Sequence, residues 1–191
     1  MNTDEQLIQQ FCQGDMKAFE DLYLRHKDPL YRYLFRQVSN KDLSDELHQD
    51  VWAKIIKQAN QFNQLSSFKT WLYKIAHNHM IDYFRANKFR SQFDNKNNSE
   101  TVDDEHKDNE QACETINQSP EAEIQNQQLK QEIFAAVEQL PNEQKEVFLL
   151  HEHGGFNIKS IASITNNSQE ATKSRLRYAI KKLRDKLEVW L

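Results

Sequence analysis

The chain has 191 residues, with 25 Lys/Arg, 29 Asp/Glu and a formal net charge of −4. It has only three glycines and three prolines, and with so much Leu, Ile, Lys, Gln and Glu it is expected to be mostly helical. No stretch approaches the roughly 20 apolar residues that cross a bilayer. The acidic start Met1-Asn2-Thr3-Asp4-Glu5 is unlike a signal peptide. Two cysteines, Cys12 and Cys113, make no disulfide framework, so a cytoplasmic location is expected. Cys12 reads as a core thiol and Cys113 as part of a polar tract.

The charge is unevenly spread. Residues 1–93 carry 13 Lys/Arg and 11 Asp/Glu (+2), residues 94–124 carry 2 and 10 (−8), and residues 125–191 carry 10 and 8 (+2). The last 24 residues alone reach +4. Nucleic-acid binding is therefore compatible with the two ends, and the middle accounts for the acidity. Residues 94–124 are rich in Asn, Asp, Glu, Gln and Ser and read as a disordered linker, which buries too little to offset the entropy of ordering. Its −8 charge favours a path through a basic channel over one along DNA.

Before the linker, apolar residues recur at helical spacing. Leu7, Ile8 and Phe11 form a first stripe, and Ala18, Phe19, Leu22 and Tyr23 a second. Pro29 suits a new helix start, followed by Leu30, Leu34 and Val38, and then by Leu43, Leu47, Val51 and Ile55. Ser66 or Ser67 can cap a helix with Leu72, Ile75, Ala76, His79 and Tyr83 on one face. After the linker, Leu129, Ile133, Ala136, Val137 and Leu140 make one stripe, ended by Pro141. Asn142 is placed to cap a helix carrying Val147, Phe148 and Leu150, which Gly154-Gly155 stops.

Three faces stand out. Asn157 can cap a short helix with Ile158, Ile161, Ala162 and Ile164; the turn Thr165-Asn166-Asn167 follows, and Ser168 can cap a long helix. That order is a helix-turn-helix, with Thr172, Leu176, Ile180, Leu183 and Leu187 inward. Gln169, Glu170, Lys173, Ser174, Arg177 and Lys181 lie outward, base readers first and phosphate-binding cations further along. On the helix after Ser67, Trp71, Lys74, Asn78, Asp82 and Arg85 share a second face, with Lys69 at its start. Cations, an aromatic ring and an amide suit single-stranded DNA, although Trp71 fits a core position equally well. In the third, residues 45–52, Asp45, Glu46, Gln49 and Asp50 make an acidic, amide-bearing face. By itself that is a solvated surface.

Nothing suggests chemistry. His151 and His153, like His77 and His79, are two apart and point to opposite sides of a helix, a poor metal pair. There is no glycine-rich phosphate loop and no glycine-flanked serine. No catalytic residue, metal or cofactor is expected. A conventional two-domain regulator, binding duplex DNA unaided, competes with this reading, as does a protein-binding adaptor.

Taken together the motifs resemble the extracytoplasmic-function group of bacterial RNA polymerase sigma factors. Gly14-Asp15 with Ala18-Phe19 and Leu22-Tyr23 resembles the start of that family's first domain. Residues 45–52 resemble its polymerase-binding helix, and residues 67–78 (SFKTWLYKIAHN) its −10-reading helix. Leu140-Pro141, Glu146-Val147-Phe148 and residues 172–176 (TKSRL) resemble its second domain. The resemblance implies an all-α chain of two small helical domains, 1–93 and 125–191, joined by the acidic linker 94–124. It implies that Asp45, Glu46, Gln49 and Asp50 bind the clamp helices of the polymerase's largest subunit. Lys69, Trp71, Lys74, Asn78, Asp82 and Arg85, with the loop at 61–68, would capture the melted −10 strand and a flipped base. Gln169, Glu170, Lys173, Ser174, Arg177 and Lys181 would enter the major groove at the −35 element. The second domain would also contact the β flap, and an anti-sigma factor would mask both domains. Asp82, a carboxylate facing DNA, and the Gln169-Glu170 start depart from the family's usual pattern.

Overall fold

The computed structural model describes residues 2–94 and 120–188, with side chains over 2–86 and 128–188. Four helices precede the gap: α1 (Asp4–Cys12), α2 (Met16–Val38), α3 (Lys41–Gln58) and α4 (Phe68–Asp94). Four follow it: α5 (Pro120–Glu138), α6 (Asn142–Glu152), α7 (Ile158–Ile164) and α8 (Gln169–Leu187). Cys113 and most of the acidic linker lie outside the described residues, whereas helix α5 already begins at Pro120.

Short polar side chains set most of the helix starts. Thr3 and Gln6 form a reciprocal capping box on α1, Asp15 accepts from the amides of Lys17 and Ala18, and Asn40 accepts from Leu43. Ser67 Oγ accepts from the Thr70 amide at 3.2 Å. Asn157 caps α7 and Ser168 caps α8, as their sequence positions predict. Each such cap stabilises its helix by about 1 kcal/mol. Asn142 does not cap α6: it is the first helical residue, and the Pro141 carbonyl receives the amides of Gln144 and Lys145 instead.

Pro29 also departs from expectation. It sits inside α2, which runs unbroken from Met16 to Val38. An interior proline costs roughly 3 kcal/mol. Leu22, Leu30 and Leu34 flank it on one stripe at 0% exposure, and each contributes about 1.5–3 kcal/mol on burial. Burial on both sides outweighs the proline, so one long helix forms in place of two.

The first domain packs α1, α2, α3 and α4 around Leu7, Ile8, Leu22, Leu34, Leu47, Ile55, Phe68 and Leu72. Trp52 is buried edge-on to Phe19 (5.9 Å) and Tyr23 (5.0 Å). Cys12 is exposed at the end of α1 and is not a core residue, because the buried side of that helix falls on Leu7 and Ile8. On α4 the buried row is Leu72, Ala76 and Met80, leaving Ile75, His79 and Tyr83 only half-buried.

In the second domain α8 packs on α5, α6 and α7. Its inward residues are Thr172, Leu176, Ala179 and Leu183. Ile180, expected inward, is exposed, because the row that starts at Thr172 advances by four, three and four residues and reaches Ala179. Ile133 on α5 is likewise exposed. Lys145 is buried but paired, 2.9 Å from Glu138.

The α6–α7 connection is tight. Gly155 is left-handed (φ 62°), and the amides of Gly154, Gly155 and Phe156 close back on the last turn of α6. A Cβ on Gly154 would stand 2.5 Å from both the Leu150 carbonyl oxygen and the Phe156 ring. Gly154→Ala is therefore expected to destabilise by about 2 kcal/mol, lowering the melting temperature by roughly 4–8 °C. Thermal unfolding by circular dichroism measures this, and an unchanged transition would show that the turn relaxes freely.

Candidate nucleic-acid interface

The outward face of α3 is as expected: Asp45, Glu46, Gln49 and Asp50 are all exposed over the buried Leu47, Val51 and Ile55. Beneath them His48 Nε2 lies 3.1 Å from the Lys27 carbonyl and 3.1 Å from Trp52 Nε1. The indole N–H only donates. Neutral imidazole with a bare Nε2 takes the Trp52 bond, and a protonated Nε2 must turn to Lys27 instead. Burial pushes the His48 pKa below the ordinary histidine value, against smaller upward pulls from the Lys27 carbonyl, Asp45 and Asp28.

A polar chain joins this face to α4. Lys54 Nζ is 2.7 Å from His79 Nδ1, and His79 Nε2 is 3.0 Å from Asp50 Oδ2. An ammonium can only donate, so Nδ1 is the acceptor and Nε2–H donates to Asp50. His79 thereby holds the edge of the acidic face at a fixed place on α4. Sequence spacing gave no hint of this link, since its partners lie 25 and 29 residues apart.

On α4 itself, Lys74, Asn78, Asp82 and Arg85 are exposed along one side. Trp71 is half-buried, its ring 5.3 Å from Phe62 and 6.0 Å from Phe68. It therefore serves the core and the edge of the face together. Lys69 is not with them: its Nζ donates to the Gly154 carbonyl at 2.6 Å and lies 5.0 Å over the Phe156 ring, both in the second domain. The preceding loop carries a residue that sequence reasoning passed over. Leu65 is 88% exposed, next to Gln64 at φ 57°. An apolar residue in a polar loop was its only sequence signal.

The α7–α8 pair is joined by a turn in which Asn166 is left-handed (φ 53°) and the Asn167 amide returns to Ala162. Gln169, Glu170, Lys173, Arg177 and Lys181 are exposed and Ser174 is half-buried. Arg175, next to Ser174, turns back to Glu143 at 2.7 Å and braces the helix.

Two family models cover these elements: Sigma-70 region 2 over residues 22–90 and Sigma-70 region 4 over residues 130–183. The extracytoplasmic-function sigma-E factor of Haemophilus influenzae is 28% identical over 188 residues, spanning 97% of this chain and 96% of that one. The chain is an extracytoplasmic-function sigma factor. It directs promoter-specific transcription initiation by RNA polymerase, and its partners are core polymerase and promoter DNA.

The Escherichia coli sigma-E factor is also 28% identical, over 174 residues, 91% of this chain and 88% of that one. The same all-α fold occurs in the sigma factor RpoE of Bartonella quintana, solved with the anti-sigma factor NepR. That match has a TM-score of 0.70 at 22% identity and covers 91% of this chain and 99% of that one. CnrH, solved with the cytosolic domain of CnrY, matches with a TM-score of 0.67 at 19% identity, covering 98% of this chain and 99% of that one. In this sigma factor, region 2 contains the α3 and α4 faces, and region 4 contains the α7–α8 pair.

The depressed His48 pKa has a testable consequence. Folded His48 binds fewer protons than unfolded His48, so its contribution to stability declines as pH falls through the ordinary value of about 6.5. The loss is complete once pH lies below the lower, folded value. His48→Gln is expected to flatten the dependence of the urea midpoint on pH over that window. A slope identical to wild type would contradict the assignment.

Proposed function

We propose that the three exposed faces divide the work of this sigma factor. Asp45, Glu46, Gln49 and Asp50 on α3 meet the clamp helices of the polymerase's largest subunit. Lys74, Asn78, Asp82 and Arg85 on α4, with the half-buried Trp71 and Leu65 on the loop, hold the melted −10 strand. Gln169, Glu170, Lys173, Ser174, Arg177 and Lys181 meet the −35 duplex, the lysines at its phosphates.

The observation that carries this reading is three helix rows of side chains, exposed except for the half-buried Trp71 and Ser174, each on a helix whose opposite face is buried. A strand laid along α4 would meet Lys and Arg for its phosphates and an amide for base edges, with Trp71 and Leu65 beside unstacked bases. Taking a base out of the stack costs a few kcal/mol, recovered only where a pocket accepts it, so reading and opening are coupled. Asp82 repels phosphate, which suits a position facing a base edge and not the backbone.

The second domain also contacts the polymerase's β flap. The protein makes and breaks no bond: it supplies binding energy and core polymerase performs the chemistry. It works in the cytoplasm, where polymerase acts; among the described residues no helix is long and apolar enough to cross a membrane. An anti-sigma factor masks both domains, a partner suggested by the complexes in which RpoE and CnrH were solved.

Run-off transcription with purified core polymerase on genomic promoter fragments tests the whole. Specific transcripts are expected only when the protein is added, and Asp45→Lys with Gln49→Ala should abolish them. Specific transcripts that survive this double substitution would refute the α3 assignment. On a −35 duplex, Lys173→Ala and Lys181→Ala should each weaken binding at all sequences alike. Each should also reduce the slope of log affinity against log salt by about 1. An unchanged slope would remove those lysines from the interface.

A further inference from the structure

The two domains touch through a surface of mixed character, polar at Glu146 and Lys69 and aromatic at Tyr73 and Phe156. Glu146 on α6, its side chain 15% exposed, accepts from two helices of the first domain. His77 Nδ1 on α4 is 2.5 Å from Glu146 Oε1, and the Tyr33 hydroxyl on α2 donates to the same oxygen at 3.1 Å. Beside them Tyr73 stands edge-on to Phe156 at 4.9 Å and Lys69 donates to Gly154. Arg36 lies 4.5 Å over Phe134.

Lys69, Tyr73 and His77 are four residues apart, one row along α4 committed to the second domain. That row is neighbour to the Lys74, Asn78 and Asp82 row, with about 60° between His77 and Lys74 around the helix. The contact withdraws Lys69, the cation that opens the DNA-facing helix. The Tyr73 hydroxyl on the same row is buried with no hydrogen-bond partner. An unmet buried hydroxyl carries a desolvation penalty. Burial raises the pKa of Tyr73 to about 12, while the Arg32 charge pulls it down. A surface held by a few charge-assisted bonds and carrying an unpaid polar group is suited to reversible opening.

We infer that Glu146 is a clasp that holds the free sigma factor closed and keeps Lys69 from promoter DNA until the domains part. The inference rests on the reading of α4 as the −10 helix. The clasp belongs to the chain itself and needs no second protein.

The test uses the full chain with Glu146→Ala and, separately, His77→Gln. Small-angle X-ray scattering measures expansion, circular dichroism checks that helicity is kept, and fluorescence anisotropy measures binding of a labelled non-template −10 single strand. Both variants are expected to expand and to bind the strand roughly tenfold more tightly than wild type. Adding Lys69→Ala to Glu146→Ala should remove most of that gain. If Glu146→Ala loses helicity, His77→Gln decides.

Variants that keep the wild-type dimensions, or that expand without tighter strand binding, overturn the clasp. Run-off transcription by the wild-type protein separates the two readings. Transcripts from a protein whose variants neither expand nor bind better sink the clasp alone; no transcripts at all sink the promoter reading beneath it.

Discussion

The Glu146 carboxylate is the point on which the arrangement of this molecule turns. It sits on α6, yet its donors come from α2 and α4, so one oxygen bridges the two domains beside the Tyr73–Phe156, Arg36–Phe134 and Lys69–Gly154 contacts. Hydrogen bonds to a charged acceptor are stronger than neutral ones, and leaving the acceptor buried and unmet is costlier still. Pairing Glu146 therefore fixes the second domain against α4, and with it the position of Phe156 over Tyr73 and of the Gly154 carbonyl against Lys69. Burial, then the nearby Glu146 charge and hydrogen bond, hold the Tyr33 pKa well above the ordinary tyrosine value, so this donor keeps its proton at any physiological pH.

Each exposed face depends on something buried behind it. The acidic row on α3 stands over Leu47, Val51 and Ile55 and is tied to α4 through Asp50, His79 and Lys54. Helix α8 stands over Thr172, Leu176, Ala179 and Leu183, braced by Arg175 against Glu143. For a factor that works by binding, as proposed above, function reduces to how such rows are presented and how far apart they are kept. Within a domain the buried core sets their placing; between domains the Glu146 and Lys69 bonds and the Tyr73–Phe156 packing do.

Much of this was readable along the chain. The helical periods, the caps at Ser67, Asn157 and Ser168, the helix-turn-helix and most outward residues follow from local spacing, which one helix settles by itself. What failed were the places where a neighbour overrides local preference. Pro29 suggested a break, but burial on both sides carries α2 through it. Ile180 looked like core, but the α8 row passes through Ala179. Lys69 is a cation at the right end of α4, but here it is turned to Gly154, which is 85 residues away and has no side chain to advertise the contact. The Glu146 clasp was invisible for the same reason, since its donors lie 69 and 113 residues distant.

The central claim is that closed and working forms differ in the separation of the two domains. The most direct measurement is the distance distribution between spin labels at exposed positions on α3 and α8. It is taken on the free protein, then in complex with core polymerase on a promoter. A single short distance in the free protein that lengthens on the promoter is the predicted result. The same distribution in both states would contradict it, and would mean that the arrangement held by Glu146 is already the working one.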